Sequence, residues 1–74
     1  MPDVVVTQVP TNRGVFLKIE MDAPYRVIAY VRDTNTAKIW DLKELLSPKK
    51  VHTVTLNVPK STGDPIIVVH PLAG

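Results

Sequence analysis

Cysteine is absent from this 74-residue chain, so neither a disulfide nor a zinc-thiolate cluster can brace its fold. Glycine is scarce. Gly14, Gly63 and Gly74 stand far apart, which excludes the glycine-rich loops that wrap phosphate groups. The unbroken apolar runs are short, Ile66-Ile67-Val68-Val69 among them, whereas a helix crossing a bilayer needs about 20 apolar residues. The segment Met1-Pro2-Asp3-Val4 carries no basic stretch leading into a long apolar core, so it does not read as a secretory signal, and no Asn-x-Ser/Thr acceptor occurs. These features lead to an expectation of cytoplasmic synthesis without a membrane partner, and they leave later incorporation into a virion open.

Strong charge of one sign is also missing. Nine basic against seven acidic residues give a net charge of +2. The basic residues are spread from Arg13 to Lys60, and only Lys49 and Lys50 are adjacent. A dedicated nucleic-acid binder concentrates its positive charge on one surface. The length fits a single domain over residues 1–74. Ordering so short a chain costs about 1.5 kcal/mol per residue, which its apolar burial only roughly offsets. Small unbraced domains often gain the remainder from a partner.

The dominant pattern present is alternation with period two, the mark of a strand with one buried face. In Val15-Phe16-Leu17-Lys18-Ile19-Glu20-Met21 the odd positions are apolar. Tyr25-Arg26-Val27-Ile28-Ala29-Tyr30-Val31-Arg32 repeats it, with Tyr25, Val27, Ala29 and Val31 inward. Asp22-Ala23-Pro24 lies between the two runs and reads as a tight connection joining an antiparallel pair. Val4 to Val9, Ala37 to Trp40, Val51 to Val58 and Ile66 to His70 read as further strands. The last is apolar on both faces, which predicts a central or doubly covered strand.

One stretch departs from the pattern. Asp41 and Glu44 have capping-box spacing, Leu42, Leu45 and Leu46 would share a helical face, and Ser47-Pro48 would stop the run. A short helical turn is expected near 42–46. The whole predicts an all-β domain: a small antiparallel β-sandwich, immunoglobulin-like or fibronectin-like, or a partly closed barrel, of about six strands. The paired cysteines of a true immunoglobulin domain are lacking.

The inventory for catalysis is thin. Ser47 and Ser61 lie outside any nucleophile elbow. His52 and His70 lack a third ligand unless Asp64 supplies it, and read most simply as solvent-edge residues. Asp22, Asp33 and Asp64 fall in connections, where such residues usually bond their own backbone. The expectation is a protein that is not an enzyme and that needs no cofactor or metal.

Binding surfaces are better represented. Arg26, Ile28, Tyr30 and Arg32 alternate opposite the core set, and Phe16 likewise points away from its apolar neighbours. If the two runs pair, Phe16, Ile28 and Tyr30 form one outer apolar patch flanked by arginines, with Trp40 nearby. Tyr, Trp and Arg are enriched where proteins meet. The alternative is a second core layer. Near both chain ends, Val4-Val5-Val6 and Ile66 to Val69 invite strand addition unless paired within the fold. The leading expectation is therefore a non-catalytic structural or protein-docking module, such as a capsid-decoration or tail accessory protein, associating with itself or a larger assembly. An inhibitor of another protein would use the same physics.

Ser47-Pro48-Lys49-Lys50 resembles the Ser-Pro-Lys-Lys element repeated in linker-histone tails, where it contacts the DNA minor groove. The resemblance covers four residues and occurs once. Separately from that resemblance, a rival reading joins Lys49, Lys50 and Lys60 with Arg26 or Arg32 into one basic surface which, with Tyr30 and Trp40 as stacking groups, binds single-stranded nucleic acid on a small barrel.

Overall fold

The computed structural model describes residues 3–59 and 65–72. Four strands form one antiparallel sheet: β1 (Val4–Pro10), β2 (Gly14–Asp33), β3 (Ile39–Asn57) and β4 (Pro65–Leu72). The long β2 organises the rest. β3 lies along its whole length on one side, while β1 and β4 share the other side, β1 against the first half and β4 against the second.

Three expectations from the sequence are overturned by this fold. Residues 15–21 and 25–32 are not an antiparallel pair; they are successive parts of β2. Asp22-Ala23-Pro24 is a bulge, not a turn. Between the pairs Glu20↔Val51 and Tyr25↔Lys49, four β2 residues stand opposite Lys50 alone. Between Tyr25↔Lys49 and Val27↔Leu45, three β3 residues stand opposite Arg26 alone. Pro24 and Pro48 fall in these two irregularities, where a missing N–H removes no regular ladder bond. Merging runs in this way leaves four strands among the described residues, two of them long, in place of about six.

The second correction concerns residues 42–46, which are strand and not a helical turn. Leu45 pairs opposite Val27 and turns inward; Leu42 pairs opposite Tyr30 and turns outward. A run of six residues is too short to hold a helix by itself, whereas the second half of β2 offers it a ready ladder. The Asp41 carboxylate bonds the Leu42 N–H through Oδ1 at 2.9 Å, without a helix to cap.

The sheet is sharply bent. A straight strand of β3's length would run about 60 Å, yet the longest dimension of the molecule is 37 Å. The two ends of β3 meet: the Asn57 N–H donates to Asp41 Oδ2 at 2.8 Å. At the bend His52, 5% exposed, donates its Nε2–H to the Tyr25 carbonyl at 2.7 Å. A carbonyl only accepts, so this bond fixes the ring tautomer with the proton on Nε2. His52 is thus a buried structural group and not the solvent-edge residue its sequence context suggests.

Both halves supply one core. Leu17, Ile19 and Met21 come from the first half of β2, Val27, Ala29 and Val31 from the second, and Leu56 from β3. All six β2 members are odd-numbered, as the alternation predicts. Val4, Val6, Val54, Ile67 and Val69 pack around them.

The turns are locally determined. Thr11 Oγ1 accepts from the Gly14 N–H at 3.1 Å, and the Thr11 N–H donates to the Gly14 carbonyl at 2.9 Å. Gly14 sits so close to β3 that a Cβ there would overlap the Leu56 carbonyl oxygen. Between β2 and β3, Asp33 behaves as the sequence suggests for a connection aspartate: Oδ1 accepts from the Asn35 N–H and Oδ2 from the Thr36 hydroxyl, each at 3.0 Å. Ala37 then adopts a left-handed conformation at φ 60°.

Candidate functional site

The registers sort the expected docking residues into three places. Phe16 lies on the outer face of the first half, between Val9 on β1 and Thr55 on β3. Ile28 and Tyr30 lie on the outer face of the second half. The bend separates the two halves, so Phe16 does not join Ile28 and Tyr30. The single patch expected from a hairpin is divided because the hairpin does not exist. Trp40 leaves the outer surface altogether: it is half-buried and packs against the core, at the irregularity between the pairs Val31↔Asp41 and Arg32↔Ile39.

What remains is better defined than the sequence indicates. Rows across β3, β2 and β4 run Leu42–Tyr30–Val68, Glu44–Ile28–His70 and Ile39–Arg32–Ile66. Arg26 beside Leu72 closes the far end. Side chains in one row stand about 4.5–5.5 Å apart at Cβ and act as a unit. Leu42 is 43% exposed and Ile39 50%; Tyr30, Ile28, Ile66, Val68 and Leu72 are each half-buried. The outcome is an apolar strip across three strands, centred on Tyr30, with Arg26 and Arg32 at its two ends.

β4 corrects a further expectation. It is apolar on both faces but neither central nor doubly covered: among the described residues it pairs with β2 alone. Its inward residues Ile67 and Val69 pack against the core, while Ile66 and Val68 face outward. Sequence alternation cannot reveal this, because a strand apolar on both faces gives no phase to read.

The residues of the nucleic-acid reading are not brought together. Lys49 and Lys50 are exposed at the bend, five β2 positions from Tyr30, and Trp40 faces the core. Lys60, with Ser61 and Asp64, lies outside the described residues.

Clefts among the described residues include two of similar volume. One, of about 310 Å³, lies at the bend and is lined by Glu44, Ser47, Lys49 and His52 among others. Its histidine holds the Tyr25 carbonyl through Nε2. The other, of about 340 Å³, is apolar and lies where β1 and β4 leave the core uncovered, between Gln8 and Pro10 on one side and Pro65 and Ile67 on the other. His52 and His70 pair opposite Ile19 and Ile28, in different halves of the sheet. No group of three or more His, Cys, Asp or Glu side chains placed to hold a metal occurs among the described residues, and no helix there is long and apolar enough to cross a membrane. Comparison with protein-family models, with curated proteins and with solved structures found no match.

Proposed function

We propose that this protein is a non-catalytic protein-docking module that binds through the outer face of the second half of its sheet. In this reading the two halves of the bent sheet act as the layers of a small sandwich, and the inner core serves to hold one outer layer rigid. The observation that carries the proposal is the strip Leu42–Tyr30–Val68 with Ile28 and Ile66 beside it. It is an apolar and aromatic surface laid across three strands and ending at an edge that, among the described residues, pairs with no further strand. Contiguous apolar surface of this kind on a small protein marks an interaction site, and a tyrosine flanked by arginines is a common anchor. Arg26 and Arg32 at its ends favour a protein partner that presents carboxylates around an apolar centre. A place in a larger assembly such as a virion suits a chain that has little core to stabilise it alone.

The test compares three forms of the protein as bait in a lysate of its native source: the unaltered chain, an Ile28→Ala/Tyr30→Ala double variant, and a Lys18→Ala control in the other half of the sheet. A protein retained by the first and third but released by the double variant supports the proposal. Equal retention by all three, or by none, contradicts it.

A further inference from the structure

The open edge of β4 has a hydrogen-bonding pattern that is complementary to itself. In an antiparallel ladder each residue turns its N–H and C=O to the same side, and successive residues alternate. Two bonds fix the sense in β2. The Thr11 N–H donates to Gly14 O, so the even β2 residues address the β1 side. The Val58 N–H donates to Arg13 O at 3.0 Å, so the odd ones address β3. The side-chain alternation of β2 keeps its phase from Leu17 to Val31, and chirality ties the direction of the peptide to the direction of the side chain. The same sense therefore holds where β4 pairs. Even residues of β2 bond even residues of β4, as in Ile28↔His70 and Tyr30↔Val68. The odd residues Pro65, Ile67, Val69 and Pro71 address the open edge. That both prolines fall in this set is independent support, because a proline there removes no bond to β2.

The edge thus offers two N–H donors, from Ile67 and Val69, bounded by a proline on each side. These four positions are symmetric about Val68. We infer that a second copy of this chain docks on the edge, β4 against β4, antiparallel and twofold about Val68. In that register Ile67 faces Val69 of the other copy and each pair exchanges two bonds, so both donors on each copy are used. Pro65 then meets Pro71, and no donor is placed against a proline. Sliding the strands by two residues sets Pro65 against Val69, or Pro71 against Ile67, and strands a donor or an acceptor; the prolines therefore select one register. The outer face contributes apolar contact on the axis, where Val68 meets Val68 of the other copy, with Ile66 diagonal to it and directly opposite His70 of the other copy. The inference deepens the docking reading and its functional meaning rests on it: three strands from each copy would form one continuous layer, with the two Tyr30 strips on the same face.

Val68 lies on the proposed axis in a non-hydrogen-bonded position, where opposed Cα atoms stand about 4.5 Å apart, within the roughly 4.4–6.8 Å that a disulfide spans. The chain has no cysteine of its own. The experiment oxidises a Val68→Cys variant at low micromolar concentration beside Thr7→Cys on β1 and Thr53→Cys on β3, with sedimentation velocity on the unaltered chain. The expected result is a dimer in sedimentation and disulfide formation by Val68→Cys at least tenfold faster than by either control. Ile67→Pro, which removes one edge donor but no bond to β2, is expected to give a folded monomer by circular dichroism and sedimentation. A monomeric unaltered chain, or equal oxidation rates for the three cysteines, overturns the inference. Adding Ile28→Ala/Tyr30→Ala to Val68→Cys is expected to leave the crosslinking rate within about twofold, so loss of partner capture and loss of self-pairing are read separately.

Discussion

Replacing Asp41 by alanine tests how the sheet is held in its bent form. The Asp41 carboxylate accepts from the Asn57 N–H at 2.8 Å and from the Leu42 N–H at 2.9 Å, and its Oδ1 lies 3.6 Å from Lys43 Nζ. The bond to Asn57 joins the two ends of β3 across the fold; the other two contacts are local. A hydrogen bond to a charged acceptor contributes about 1.5–3 kcal/mol. Asn57 is exposed, so water partly replaces the lost acceptor and the lower end applies. The Lys43 side chain is 45% exposed, and such a pair adds about 0–1 kcal/mol. Asp41→Ala is therefore expected to lose about 2 kcal/mol, which in a chain of this size lowers Tm by roughly 8–16 °C. Trp40, the only tryptophan, adjoins the site and serves as the fluorescent reporter for urea unfolding. Lys43→Ala, which keeps the bond to Asn57, is expected to lose less than about 1 kcal/mol. If Asp41→Ala costs no more than Lys43→Ala, the link between the ends of β3 contributes nothing and the reasoning fails.

Three further outcomes are expected. Gly14→Ala places a Cβ against the Leu56 carbonyl, where only backbone can give way; the cost by urea unfolding is expected to be about 2 kcal/mol or more, and a neutral substitution would contradict the close approach. Ala37→Gly relieves a left-handed alanine, which costs roughly 1–2 kcal/mol, partly offset by the greater freedom of glycine in the unfolded chain; a small rise in Tm is expected, and a fall would count against the turn geometry. His52→Ala leaves the part-buried Tyr25 carbonyl without its donor and is expected to lose about 1–3 kcal/mol. Wild-type stability in that variant would remove His52 from the bend.

Much of the core was legible in the sequence. Alternation assigned Leu17, Ile19, Met21, Val27, Ala29 and Val31 inward, and each is buried. The connectivity was not. Asp22-Ala23-Pro24 has the composition of a turn, and the odd inward phase on both sides of it is satisfied alike by a three-residue hairpin and by an unbroken strand. In β3 the phase does change, from inward Leu45 to inward His52, Val54 and Leu56, which is the trace of irregular pairing around Ser47-Pro48. The leucines at 42, 45 and 46 fit helical spacing, but a strand partner along all of β2 overrides a weak local preference. Of the candidate site, Ile28, Tyr30, Arg26 and Arg32 were placed together correctly on one outer face. Phe16 and Trp40 were not, because their positions depend on the bend and on an irregularity in pairing, and alternation encodes neither. Leu42, Ile66 and Val68 were missed as members of the face, since which strands flank β2 is a property of topology.

The most direct test of the second half as the surface that meets a second copy is the amide NMR spectrum of the unaltered chain followed over a concentration series. Shifts that grow with concentration should centre on Ile66 to His70 and reach Tyr30, while β1 and Thr53 to Thr55 stay fixed. A spectrum independent of concentration, or one in which β1 responds and β4 does not, would contradict the account.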